Sequence, residues 1–399
     1  MLAGPAASSA AHAAGTASSP MPGSKGPAET ERGVTLFLSG DVMTGRGVDQ
    51  ILPHPCPARL HEAYVQSALD YVKLAEHLHG PIPRPAPADY VWGDALAECA
   101  RWRPAARIVN LETAVTTSDD PWPAKGIHYR MNPQNVACLT AAKLSCCVLA
   151  NNHVLDWGRV GLAETLATLR AAGIATAGAG SDAAEAARPA AIELAGGGRL
   201  LIFAYGMGSS GVPRDWAATH DGSGVNVLPG LTTHHVDAVA KHVAAYKRSG
   251  DLVVLSLHWG ENWGYPISAE EQTFARSLIG RASVDLVHGH SSHHAKGMEV
   301  YDGKLILYGC GDLLSDYEGI GGYEDFRADL ALMYFPTLDR LSGRLVSLTL
   351  TPTKVRRFRI SWAGPQDARW LETMLNREGR ALGTRVERRG EQHLALRWG

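Results

Sequence analysis

Five times along this chain an apolar run stops at residues whose side chains bind metals or move protons. Val34–Ser39 ends at Gly40-Asp41, Ala106–Leu111 at Glu112, and Leu144–Ala150 at Asn151-Asn152-His153. Leu252–Leu257 ends at His258, and Val284–Val287 at the histidine-rich loop His288–His294. Short apolar runs of this kind read as buried strands. Open α/β sheets place their ligands in the crevice beyond the carboxyl ends of the strands. The pattern therefore predicts strands whose ends converge on one polar cleft. Carboxylate, amide oxygen and imidazole together suit Mn, Fe or Zn.

The segments between these runs support an α/β chain. Helical periodicity is expected over Arg59–Glu76, Val91–Arg101, Val160–Ala172, Thr232–Arg248 and Ala269–Arg281. Met298–Tyr301 and Lys304–Tyr308 read as a hairpin turning at Asp302-Gly303. Beyond residue 327 the pattern is more antiparallel, with strands at Asp329–Pro336, Leu345–Leu350 and Lys354–Ile360, a helix at Pro365–Asn376 and a last strand. A length of 399 residues alone suggests two or three domains. The spread of the strand-end residues from Asp41 to Asp312 instead argues for one domain over 33–399. Residues 1–32, rich in Ala, Gly, Ser and Pro, read as a disordered tail. They hold no charged stretch followed by an apolar one, so no secretory signal is evident.

Composition excludes several classes. A net charge of −2 argues against a nucleic-acid binder. The six cysteines form no CxxC pair and fit a reducing compartment better than a disulfide framework. No apolar run is long enough to span a bilayer. Cytoplasmic residence is the expectation.

In the motifs Gly40–Met43 (GDVM), Asn110–Glu112 (NLE), Asn151–His153 (NNH), Ser256–Gly260 (SLHWG), Gly289–His293 (GHSSH) and Gly303–Tyr308 (GKLILY), the chain resembles the CapA family of poly-γ-glutamate capsule proteins. The likeness runs from about residue 34 to 318. It implies a calcineurin-like metallophosphatase fold, an αββα sandwich with mixed sheets. It further implies one metal site of Glu112, Asn152, His258 and His290, and a second of Asp41, Glu112 and His293 with Glu112 shared. His153 takes the role of acid or general base, with Asp156 orienting it. The implied substrate is a peptide or γ-glutamyl chain, and a biosynthetic partner protein is expected.

The chain also departs from that pattern. Met43 stands where metallophosphatases carry a metal-binding histidine, and Glu112 replaces a shorter aspartate. The expectation is an incomplete site, which leaves open a centre that holds no ion tightly. Cys310, in Tyr308–Asp312, is a candidate thiol acid, base or nucleophile with His153, His293 and Asp41; a buried inert thiol is the plainer alternative. Asp312 reads more readily as a turn cap. Arg46, Arg130 and Lys296 are candidate anion binders, and Trp259 and Trp263 a candidate aromatic wall. His288 and His294 read as structural.

Three functions follow. The first is a CapA-type enzyme on a γ-glutamyl or peptide chain. The second is a metal-independent peptide epimerase that removes and returns an α-proton in ribosomal peptide maturation. The third is a non-catalytic scaffold of polymer synthesis or export.

Overall fold

The computed structural model of the protein describes residues 33–399, so the expected tail over residues 1–32 lies outside the described residues. Within 33–399 the chain is a mixed α/β structure built on two large sheets. The first opens with β1 (Gly33–Val42), β2 (Ala106–Leu111), β3 (Cys146–Val148) and β4 (Ala175–Ala177), all parallel. The second comprises β5 (Ala190–Glu193), β6 (Arg199–Gly206), β7 (Leu252–His258), β8 (Leu286–His290), β9 (Met298–Tyr301) and β10 (Lys304–Leu307). It is parallel through β6, β7, β8 and β10 and antiparallel at both edges. The chain then returns to the first sheet. There β11 (Asp312–Leu314) pairs parallel with β1, and β12 (Leu330–Asp339) pairs with it antiparallel. The antiparallel set continues through β13 (Leu345–Arg356), β14 (Arg359–Trp362), β15 (Thr384–Arg389) and β16 (His393–Trp398).

Alternation along β7 explains why these runs look continuously apolar. Leu252 and Val254 join the core that includes Leu36, Leu38 and Ile108 of the first sheet. Val253, Leu255 and Leu257 join a second core with Val236, Val239, Phe274 and Leu278 of the helices Thr233–Tyr246 and Ala269–Arg281. A strand covered on both faces has no polar face to show. One face of the second sheet thus shares a core with the first sheet, and the other is covered by helices. The strand ends that meet are those carrying Asp41, His258 and His290.

Local signals act as expected in several places. Ser268 and Glu271 form a capping box on the helix Ala269–Arg281. Asp302 and Gly303 take φ of 46° and 71°, the left-handed values a two-residue hairpin turn demands. Other expectations shift. The helix expected from Arg59 begins only at Ala68, because Ser67 caps Leu69 and Arg59 bridges to Ser67 instead of entering a helical turn. The two strands expected over 345–350 and 354–360 are one strand to Arg356 and a short one from Arg359. Pro352 sits within the longer strand, opposite Leu332. β5 and β11 are too short to stand out as apolar runs. Among the described residues no helix is long and apolar enough to cross a membrane.

Leu255 is fully buried between β7 and the helices, whereas Leu341 is 74% exposed. Leu255→Ala is expected to cost about 2–5 kcal/mol in urea unfolding, and Leu341→Ala to stay within about 0.5 kcal/mol. A second expectation concerns Asp329, whose carboxyl hydrogen bonds and ion pairs with Arg327 and Lys354 pull down to about 2 against the opposing effect of burial. A depressed carboxyl stabilises the fold above its unfolded value, and that contribution fades as pH falls toward the folded one. Unfolding free energy measured from pH 5 down to about pH 2 should fall less steeply for Asp329→Asn than for the parent.

Candidate functional site

Each strand end delivers one or two polar groups to the same buried place. Asp41, near the end of β1, is fully buried, and its Oδ1 accepts a 2.7 Å hydrogen bond from Asn110 Nδ2. Asn110 is in turn held by Asn151, whose Nδ2 donates to Asn110 Oδ1 and to Leu111 O at 3.0 and 2.9 Å. This amide relay fixes Asp41 from behind. Glu112 follows β2 and turns Oε1 toward Nε2 of both His153 and His258, 3.8 Å from each. The other carboxylate oxygens, Asp41 Oδ2 and Glu112 Oε2, are buried with no donor from another kind of side chain, and the two carboxyl groups interact with each other, which favours the charged form of Asp41 and the neutral form of Glu112.

His258 and His290 end β7 and β8, and their Nδ1 atoms lie 2.8 Å apart. Asn152 Oδ1 is 3.0 Å from His258 Nε2, and Ser256 Oγ is 2.7 Å from His290 Nε2. His288 is used structurally, with Nε2 2.8 Å from Ser39 O on the facing sheet. Two His–Asp dyads flank this centre. His153 Nδ1 is 2.7 Å from Asp156 Oδ2, and Lys125 Nζ reaches Asp156 Oδ1 at 2.9 Å. His293 Nδ1 is 2.9 Å from Asp312 Oδ1. Tyr129 packs against His153 and Tyr317 against His293, and the two phenols share a 2.8 Å hydrogen bond.

Burial dominates the electrostatics. It pushes Asp41 up to about 7, helped by the Asp312 charge, and lifts Glu112 well above the usual carboxyl range, helped by Asp41. Burial holds His258 and His290 well below the ordinary imidazole range, and each is lowered further by neighbouring histidines. His153 falls to about 4, because burial outweighs Asp156. For His293 burial works downward too, but the Asp312 charge and hydrogen bond prevail and raise it. The two dyads thus shift in opposite directions, His153 downward and His293 upward.

The residues fit a divalent cation by the chemistry of their donors. Asp41, His258 and His290 offer ligand atoms within 4.8 Å of one another, as do Asp41, His293 and Asp312. Two buried carboxyl groups side by side, Asp41 and Glu112, are of the kind that either share a proton or take a cation between them. Both three-residue groups share Asp41, whereas the family resemblance put Glu112 in the shared place. Asp312 joins His293 where Met43 leaves no imidazole. Met43 itself is buried, with its backbone N–H bonded to Leu314 O.

Asp41, Glu112, Asn152, His153, His258, His290 and His293 therefore do converge in one cleft. Several other candidates lie at its edge or beside it but are enclosed or engaged elsewhere. Arg46 is a correction: its guanidinium is buried against Asp316 and Glu62 at 2.6 and 2.8 Å, and Tyr71 takes a further bond, so no fork remains for an anion. Arg130 donates through Nη1 to Ser118 O and Asp119 and lies over Trp157. Trp259 is buried and donates to Tyr308 O, so it forms no wall. Lys296 is buried, and burial lowers its pKa. The Cys310 thiol is buried and pushed well above its ordinary range, first by desolvation and then by Asp41, which disfavours a thiolate. Trp263 does reach the cleft, its ring 5.3 Å from that of His293.

Tyr129 and Tyr317 were not singled out in the sequence; Asn110 and Asn151 stood there only as members of the NLE and NNH motifs, and Asp312 only as a strand-end residue read as a cap. The part Asp312 plays depends on its pairing with Asp41 in parallel register.

Comparison with known proteins agrees with the motifs. The family described as "Bacterial capsule synthesis protein PGA_cap" matches residues 35–317. A "Probable polyglutamine synthesis accessory protein" of Mycobacterium tuberculosis is 45% identical over 364 residues, covering 91% of this chain and 96% of that protein. The "PGA biosynthesis protein CapA" of Bacillus subtilis is 24% identical over 278 residues, 69% of this chain and 62% of that one. The "Capsule biosynthesis protein CapA" of Bacillus anthracis is 23% identical over 288 residues, covering 71% and 60%.

Replacing Arg46 by Met would strand Asp316 and Glu62 as uncompensated buried carboxylates. A loss of about 3–5 kcal/mol in stability is expected by chemical denaturation. Arg46→Lys should recover part of it but not the bidentate bond to Asp316.

Proposed function

The chain belongs to the bacterial capsule synthesis protein (PGA_cap, CapA) family, and from that premise we propose that it is an accessory enzyme of polyglutamate-type synthesis whose Asp41–His293 cleft acts on the backbone of a peptide or γ-glutamyl chain. The reading extends to a calcineurin-like metallophosphatase sandwich over 33–399 as the frame of the cleft. The observation that carries it is the pair of buried carboxyl groups, Asp41 and Glu112, that interact with each other among the imidazoles of His153, His258 and His290. Groups so costly to bury are retained where chemistry needs them, and a scaffold has no such need.

Asp41, His258 and His290, with Asn152 beside them, would hold one divalent cation of the Mn, Fe or Zn type; Asp41, His293 and Asp312 would hold another. Such a cation supplies Lewis-acid polarisation of a carbonyl or phosphoryl oxygen. The protein's own groups do the rest. Asp156 orients His153 through Nδ1, which leaves Nε2 turned toward Glu112 to take or return a proton in the cleft. The word accessory in the name of the mycobacterial relative points to a biosynthetic partner protein.

A second reading is favoured by one observation, the two His–Asp dyads joined through Tyr129 and Tyr317. One imidazole as base and the other as acid would take an α-proton from one face of a peptide carbon and return one to the other, inverting the centre without a metal. Cys310 has no part in either reading.

Full-length protein assayed on peptides and γ-glutamyl oligomers separates the two. In the first reading elemental analysis finds at least about one divalent ion per chain, Asp41→Asn loses it, and chelation stops turnover. In the second, α-deuterium enters the peptide from solvent and the exchange survives chelation. His153→Ala should lower turnover about 100-fold or more in both. Wild-type turnover in His153→Ala and His293→Ala alike refutes both.

A further inference from the structure

Beyond His293 the cleft opens into a cavity of ≈ 840 Å³ whose lining does not match a polyanion. Tyr64, Leu74, Leu78, Ile320 and Tyr323 line it and are exposed, Tyr64 by 71% and Leu78 by 54%. Large apolar side chains gathered at one exposed concavity mark a binding site. Trp263 joins this wall to the centre, since its ring stacks on Tyr323 at 3.9 Å and packs against His293.

The cations that line the cavity are all paired within the protein. Arg46 is held by Asp316 and Glu62. Arg327 bonds Asp329 at 2.8 Å and Asp367 at 2.6 Å, and Lys354 reaches the same two carboxylates at 2.9 and 3.4 Å. His79 faces Glu318 at 3.4 Å. A γ-glutamyl chain brings one carboxylate per residue and would need unpaired donors along its path. The cavity offers paired ones, and Glu324 adds a further acidic group.

We propose that this cavity is a subsite for a large aromatic or aliphatic side chain of an α-linked peptide, seated between Leu74, Leu78, Ile320 and the Trp263–Tyr323 stack, with the adjoining peptide backbone at His293. The proposal rests on the reading of the Asp41–His293 cleft as a site that acts on a chain. It narrows the substrate from peptide or γ-glutamyl chains in general to peptides with an apolar residue next to the point of reaction.

The test is calorimetric titration of the full-length protein with capped heptapeptides that differ only at the central residue (Trp, Leu or Glu) and with a γ-glutamyl oligomer of similar length. The expected result is binding of the Trp and Leu peptides at least about tenfold tighter than of the Glu peptide or the oligomer. Leu78→Glu and Ile320→Glu, both at exposed positions, should weaken the Trp peptide about tenfold or more with the melting temperature unchanged. Equal or tighter binding of the γ-glutamyl oligomer overturns the inference, and so does failure of the apolar peptides to bind. A self-association in sedimentation that Leu78→Glu abolishes also overturns it, since the cavity would then be seated on a second copy of the chain. Asp41→Asn separates this inference from the reading beneath it. If peptides bind as expected but Asp41→Asn leaves turnover intact, the cleft reading fails and the subsite stands. If Asp41→Asn stops turnover but the apolar preference is absent, the subsite fails alone.

Discussion

Asp41 has no exposed surface and lies against a second buried carboxyl group, Glu112, so the structure around it has to contain a pair of acids that water cannot reach. Much of the site's architecture answers that constraint. Asn110 donates to one oxygen of Asp41 and is itself pinned by Asn151. Imidazoles carried by the second sheet, those of His258 and His290, lie beside Asp41, and the backbone of β1 is tied to the same sheet through Ser39 O and His288. The cost of desolvating several ionisable groups together is carried by the apolar layers on either side, where β7 is packed on both faces. Burial is thus both what disfavours the charged forms and what makes each remaining electrostatic contact strong.

Arg46 shows how a second buried charge is accommodated. Its backbone lies at φ 45°, an uncommon value for a side chain with a Cβ. The guanidinium is then surrounded by Asp316, Glu62 and the rings of Tyr71 and Tyr129. Tyr129 carries that order onward, because it touches His153 and bonds Tyr317, which packs on His293. An arginine buried at the edge of the cleft therefore belongs to the frame that orients both histidines rather than to the surface that meets a substrate.

Family membership and local chemistry bear on different questions. The relatives are named for polyglutamine synthesis and for PGA biosynthesis, and the chain shares their family. The cavity beside His293 has its own composition, aromatic and aliphatic with internally neutralised charges. A protein of this family can keep the polar centre and change what the neighbouring walls select, since one site frame supports many specificities.

How much was legible in the sequence depends on how local each signal is. Strand ends are local: an apolar run that stops at Asp41, Glu112, His258 or His290 marks its own terminus, and the parallel sheets that such runs form bring those termini together. The hairpin at Asp302-Gly303 and the cap at Ser268 are local for the same reason. Asp312 is not, because its role comes from lying beside Asp41 across a parallel pairing between residues far apart in the chain. Nor is the fate of Arg46, Arg130 and Lys296, since a cation looks the same in sequence whether it faces solvent, is enclosed by carboxylates as Arg46 is, or is buried as Lys296 is. The sequence by itself determined the identity of the polar centre and its place at strand ends. Only the tertiary structure decided which polar groups lie against Asp41, which cations are already paired and what lines the cavity, because those depend on distances between segments that no local pattern records.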